Sequence, residues 1–359
     1  VTDVVAEQIA ALKDDDWAIR EEAAILLGGQ KDARAVLPLV SLLRDRDRSV
    51  REAAVTALAS IGAPSVVAVG ACLTDPELAV QEAASAVLAA IADGRVLAPL
   101  LRALASSDWI VRMHAAKALG RIQDPGSVPS LIPLLQDKVK AVREEAGRAL
   151  ASIGEGAVPA LLDALAHEDW LVRLHAVESL GKTRSPNAVE PLLATLFNDG
   201  DSAVREDAVR ALGEIGDARA VDFLFTAMKE PGLRTLAVEA LGRIGDRRSV
   251  PVLMEVVAGT NPPATSRPVA GCGDQWNEET ITQGAAVRAL GLIGDETAVP
   301  ALVRALGPTH TRSDAAAALA RFGARTIPFL LPLLTQPDEN LRYHVKETLA
   351  LVGWRPNRL

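Results

Sequence analysis

The chain repeats itself about every thirty residues, and no other feature restricts its possible folds as strongly. The segment Asp47-Arg48-Ser49-Val50-Arg51-Glu52-Ala53-Ala54-Val55-Thr56-Ala57-Leu58 recurs along the whole sequence. Its arginine position is filled by Arg20, Arg51, Arg112, Arg143, Arg173, Arg205 and Arg342, with Gln81 in the slot between Arg51 and Arg112. A small residue follows eight positions later each time: Gly28, Ala59, Ala89, Gly120, Ala151, Gly181, Gly213 and Ala350. Weaker copies in phase are anchored at Arg234 with Gly242, Gln283 with Gly291, and Arg312 with Ala320, which makes eleven units.

Each unit reads as two helices. The first carries runs such as Leu37-Pro38-Leu39-Val40-Ser41-Leu42-Leu43, apolar at helical spacing with proline near the start. The second runs from the Val-Arg pair to the small residue, which either closes the helix or lets a neighbour approach. Asp16, Asp47, Asp108, Asp169, Asp201 and Asp338 sit four residues before the arginine, where a carboxylate caps orphan amides and complements the helix dipole. The arginine one turn later is expected to reach that aspartate or its counterpart in the adjacent repeat. This Asp/Arg ladder reads as structural, and no catalytic constellation is assigned to it.

Composition agrees. Apolar residues make up 49% and aromatics only 3%, so the interior is built from Ala, Leu, Val and Ile, which let helices pack closely. A formal charge of -8 disfavours nucleic acid as partner, because phosphate binding rests on clustered Lys and Arg. Cys72 and Cys272 have no metal-ligand spacing and make no disulfide framework. No secretory segment is found and no apolar run long enough to span a bilayer is expected, so the default placement is cytoplasmic, without membrane insertion.

The copy Asp201-Ser-Ala-Val-Arg-Glu-Asp-Ala-Val-Arg-Ala-Leu-Gly-Glu-Ile-Gly-Asp217 shows the full pattern, and it resembles HEAT repeats of the phycobilisome-lyase type. The resemblance covers essentially the whole chain. It implies an all-α fold, a right-handed α-α superhelix over 1–359, in which the second helices line a concave binding wall. The repeat is shared by scaffolds, bilin lyases and a few enzymes, so it specifies fold far better than function.

Residues three before and one and five after the arginine share one stripe of the second helix. In most units the stripe is polar. Repeat four instead supplies Trp109, Met113 and Lys117, and repeat six supplies Trp170, Leu174 and Glu178. Repeat five presents Lys140, Glu144 and Arg148 between them, and repeat one adds Trp17 and Glu21. Exposed Trp and Met among charges are what a protein-binding hot spot requires. The competing reading is that each Trp fills the turn between helices and packs on the preceding repeat.

A HEAT-repeat enzyme class resembling deoxyhypusine hydroxylase holds di-iron with His-Glu dipeptides on these helices. Here the equivalent offsets read His114-Ala115, His175-Ala176 and His344-Val345, and the one His-Glu pair, His167-Glu168, precedes its helix. Isolated imidazoles do not make such a centre, so no metal and no cofactor is assigned. His114 and His175 are expected to cap or to hydrogen-bond between repeats.

The spacing lengthens once, and residues 259–280 read as a loop insertion between repeats eight and nine. Arg267, Cys272, Asp274, Trp276 and Glu278 are its candidate functional residues; Cys272 has no adjoining basic residue or histidine to activate it, which favours a plain loop cysteine. The tail places Trp354 over the last core layer, whereas repeat one begins with no obvious polar capping unit. The function expected is a scaffold that holds another protein or peptide without catalysis of its own. A bilin lyase or bilin-detaching factor is the alternative, followed by a di-iron hydroxylase.

Overall fold

A computed structural model describes residues 3–91, 94–260 and 278–354. They are helical, with no strand among the described residues. Two compact units, Val1–Ser179 and Leu180–Leu359, divide the chain. In the first, helix pairs are α1 (Val4–Ala11) with α2 (Trp17–Gln30), α3 (Val36–Ser41) with α4 (Arg48–Ile61), and α5 (Val66–Ala71) with α6 (Leu78–Ala90). They continue as α7 (Leu97–Ala103) with α8 (Trp109–Ile122), and α9 (Val128–Leu131) with α10 (Lys140–Ile153). Then come α11 (Val158–Ala164) and α12 (Trp170–Thr183), inside which the boundary falls.

In the second unit, α13 (Val189–Asn198) pairs with α14 (Ser202–Ile215), and α15 (Val221–Ala227) with α16 (Arg234–Ile244). The remaining pairs are α17 (Val250–Val257) with α18 (Glu278–Ile293), α19 (Val299–Arg304) with α20 (Arg312–Phe322), and α21 (Ile327–Leu330) with α22 (Glu339–Leu351). The insertion therefore lies inside repeat nine, between α17 and α18, rather than between repeats eight and nine. Proline cuts two of the first helices short: at Pro133 and Pro332 the chain tightens into 3₁₀ turns, Ile132–Gln136 and Leu331–Thr335.

All six expected aspartate caps form. Asp16, Asp47, Asp108, Asp169, Asp201 and Asp338 each accept from the amide two residues ahead at 2.9 Å. In the described repeats the residue eleven after the arginine position has a positive φ: Gly62, Gly154, Gly216, Gly245, Gly294 and Gly323, with Lys31, Gln123 and Arg184 in repeats one, four and six. At Gly62, Gly154 and Gly323 the ψ of -132°, -134° and -145° is one that only glycine adopts readily.

The small residue of the repeat sits inside the helix and serves close packing, not termination. A Cβ on Gly120 would lie 2.8 Å from the Ala149 Cα, and one on Gly213 would lie 2.9 Å from the Ala240 Cα. Gly28, Gly181, Gly242 and Gly291 face Ala57, Ala211, Ala289 and Ala318 in the same way. Successive second helices thus form one layer within each unit, α2 on α4 and α8 on α10 in the first, α14 on α16 and α16 on α18 in the second. Beneath it, the leucine seven after the arginine position is fully buried in every repeat, from Leu27, Leu58 and Leu88 to Leu319 and Leu349.

The arginine ladder is built differently from the expectation. Arg20 donates to the Asp14 and Asp15 carbonyls at 2.8 and 3.0 Å, and Arg112 to those of Ser106 and Ser107 at 2.8 and 3.1 Å. These carbonyls lie in the turn between the two helices of the same repeat, where no helical amide takes them. The N-cap carboxylate is already committed to its own helix, so the acid reached in the next repeat is another one. Arg20 clamps Asp45 with two bonds of 2.8 Å, and Arg112 clamps Asp137 with bonds of 2.7 and 2.9 Å.

One helical stretch among the described residues, Arg312–Thr335, is long and apolar enough to cross a membrane, contrary to the sequence expectation. It contains Gly323 at φ 64° together with Pro328 and Pro332, and it joins α20 to α21. Those helices pack on neighbouring repeats, α20 on α22 and α19 on α21. Trp354 is half-buried at the end of the described chain.

Candidate protein-binding surface

The aspartate cap fixes where each tryptophan stands. Trp17 and Trp109 are the first residues of α2 and α8, directly after their capping Asp16 and Asp108, and Trp170 opens α12 after Asp169. These three residues are 48%, 41% and 42% exposed, so each leaves a large part of its side chain open to solvent.

The rest of the stripe faces solvent as well. Met113 and Lys117 on α8 and Leu174 on α12 are half-buried, and Lys140 and Arg148 on α10 are exposed. The three helices are adjacent. A Cβ on Gly147 of α10 would lie 3.0 Å from Ser179 Oγ on α12, and Gly120 of α8 meets Ala149 of α10. The structure therefore gathers Trp109, Met113, Lys117, Lys140, Glu144, Arg148, Trp170 and Leu174 on one face of the first unit. Trp17 occupies the same register three repeats earlier.

The charges on this face are not equivalent. On α10, Lys140 pairs with Glu144 at 3.4 Å, and Arg148 pairs with Glu144 at 3.6 Å and Glu145 at 3.5 Å. On α8, Lys117 and Arg121 form no ion pair among the described residues. Under the face, burial pushes the Asp137 carboxyl up, but the Arg112 guanidinium and the Val139 amide outweigh it and hold it below the usual carboxylate range.

The histidines divide. His175 Nε2 accepts from Arg143 Nε at 3.3 Å, an inter-repeat bond of the expected kind, and His167 Nδ1 accepts from the Asp169 amide at 3.0 Å. His114 does not follow: it is 1% exposed and neither ring nitrogen has a hydrogen-bond partner among the described residues. The residue in the arginine slot one repeat back is Gln81, whose amide nitrogen is spent on the Asp75 carbonyl at 2.6 Å and whose oxygen is itself unbonded. Burial pushes the His114 imidazole below its ordinary value. No group of three or more His, Cys, Asp or Glu able to hold a metal occurs among the described residues.

Of the insertion candidates, Arg267, Cys272, Asp274 and Trp276 lie outside the described residues. Glu278 opens α18 and accepts from the Gly232 amide at 3.3 Å. Sequence reasoning missed a polar chain behind it. Arg234 lies 3.7 Å from Glu279, Thr235 bonds Thr282 at 2.7 Å, and Gln283 bonds His310 at 2.7 Å beside a cavity of ≈ 340 Å³. The one available signal was the glutamine that replaces arginine at position 283.

Residues 5–76, 68–151, 128–196, 189–268 and 277–350 match the family described as HEAT repeats. Among curated proteins, the chain is 28% identical over 141 residues to the uncharacterized phycocyanin operon protein Z of Pseudanabaena tenuis, covering 37% of this chain and 69% of that protein. It is 30% identical over 149 residues to the phycocyanobilin lyase subunit alpha of Nostoc sp. (strain PCC 7120), covering 36% of this chain. The chain spans 54% of the length of that subunit. In fold it is similar to the karyopherin Kap121p, solved bound to the extreme C-terminus of the protein phosphatase Cdc14p. That likeness has a TM-score of 0.60 at 13% identity and covers 98% of this chain and 46% of the karyopherin.

Proposed function

Since the chain belongs to the HEAT-repeat family, we propose that it is a scaffold that holds a protein or peptide partner on the solvent face of its second helices. The observation that carries this reading is the exposure of three of the five tryptophans at one register of α2, α8 and α12. A large aromatic side chain left two-fifths open on a layer of interlocked helices is a preformed anchor site, because the helices that carry it do not need to move. The binding recorded for the karyopherin belongs to that protein and supports the reading only through the shared fold.

The test uses a partner captured from the native cell and then purified. Its affinity for the full chain is measured beside the Trp109→Ala/Trp170→Ala double variant, together with the thermal midpoints of both. The expected result is a loss of affinity of about tenfold or more with the midpoint little changed. Loss of the fold with no separable loss of binding rejects the reading.

A second reading is favoured by the lyase subunits among the relatives: action on a bilin or on its acceptor protein. Phycocyanobilin added to the full chain would then shift its absorbance. An unchanged spectrum counts against it.

A further inference from the structure

We infer that the face formed by α8, α10 and α12 takes an extended peptide with two large apolar side chains about six residues apart, and with an acidic residue beside the one that seats on α8. This rests on the scaffold reading and specifies its occupant. Trp109 with Met113, and Trp170 with Leu174, make two apolar pairs, each one helical turn long, at identical register. Between them α10 offers no third apolar anchor: its stripe holds Lys140, Glu144 and Arg148, and the two cations are paired with Glu144 and Glu145. The two pairs therefore act as separate seats.

Their separation follows from packing. Neighbouring helices lie about 8 to 10 Å apart, so two steps from α8 across α10 to α12 span roughly 16 to 20 Å. An extended chain rises about 3.3 Å per residue, which makes the distance five to six residues. Side chains of an extended chain alternate in direction, so only an even interval turns both anchors toward the same surface. The interval is six. Charge sets the polarity of the peptide: Lys117, one turn beyond Met113, and Arg121, one turn further, have no acidic partner among the described residues. Carboxylates are thus drawn to the seat on α8 and not to α10, whose cations are already paired.

The experiment uses the full chain and fluorescein-labelled synthetic peptides of Gly and Ser with two leucines. The leucines are set at intervals from about four to about eight residues, and an aspartate flanks the first. Anisotropy titration is expected to give an affinity maximum at the interval of six, about tenfold above its odd-numbered neighbours. Trp109→Ala and Trp170→Ala are expected each to lower that affinity about tenfold, while Leu37→Ala, on the first helix α3 and 72% exposed, leaves it unchanged. Lys117→Glu should weaken the aspartate-flanked peptide and favour one flanked by lysine. It carries the same test should Trp109→Ala fail to fold.

A flat dependence on interval, or equal loss with Leu37→Ala, overturns the inference. No binding by any peptide overturns it too; if the captured protein still binds through Trp109 and Trp170, the scaffold reading survives, and if that is lost as well, both fall.

Discussion

His114 holds an imidazole at 1% exposure with neither nitrogen bonded, and an unsatisfied buried polar group costs about 1 to 3 kcal/mol. His114→Leu is therefore expected to raise the stability of the chain by about 1 kcal/mol at neutral pH, read from chemical denaturation. A pH dependence comes with it. Burial is the largest influence on His114 and lowers its pKa; Glu82 raises it and Lys117 lowers it further. The folded imidazole thus binds its proton less readily than the unfolded one. Below the ordinary imidazole value of about 6.5 the unfolded chain takes up a proton that the folded chain resists, so stability is lost as the pH falls. The wild-type thermal midpoint should drop between about pH 7 and pH 5 by more than that of His114→Leu. Equal drops would mean that another group senses the acid.

Which residues would cap was legible at this scale, because a cap is a contact within two residues of the same chain. Asp16 and Asp47 needed only their spacing. The arginine partners did not yield to the same reasoning, since Asp45 and Asp137 are brought to Arg20 and Arg112 by the stacking of repeats. His114 was misjudged for a related reason. His175 meets an arginine, whereas the slot facing His114 is filled by Gln81, whose amide is already engaged.

Between elements, the small residue of the repeat decides how near two second helices come. Gly120→Ala places a methyl group 2.8 Å from the Ala149 Cα, where backbone must shift, and is expected to destabilise by about 1 to 3 kcal/mol. Gly29, the last residue but one of α2, has nothing within 4 Å of its would-be Cβ. Gly29→Ala is expected to stabilise by less than about 1 kcal/mol through helix propensity alone. Thermal denaturation of the two variants side by side checks the contrast, and the same sign for both would refute the packing role. The sequence offered this role and helix closure as equals, since glycine serves both. It could not separate them because the true closing residue, at Gly62 or Gly154, lies only three positions further on. The insertion was misplaced by one helix for a similar reason: the arginine spacing registers an interruption but not on which side of the short α17 it falls.

For the molecule as a whole, the repeat period sufficed to give the eleven helix pairs. What the stripe binds was not legible, because binding imposes no periodicity. The formal charge of -8 and pI near 5.3 carry a prediction of their own. Repulsion between copies vanishes near that pI, so light scattering of a concentrated solution should peak there, at about pH 5, and fall on either side. A monotonic response would show that exposed apolar side chains, not net charge, govern association.

Six of the joints between second helices are made by glycine against the alanine of the neighbouring helix, and the outward stripe takes no part in them. Recognition and architecture are therefore written in different letters of the same repeat. Three or four outward positions per unit could be redrawn to suit another guest while every joint stayed as it is, much as movable type changes a text without changing the press.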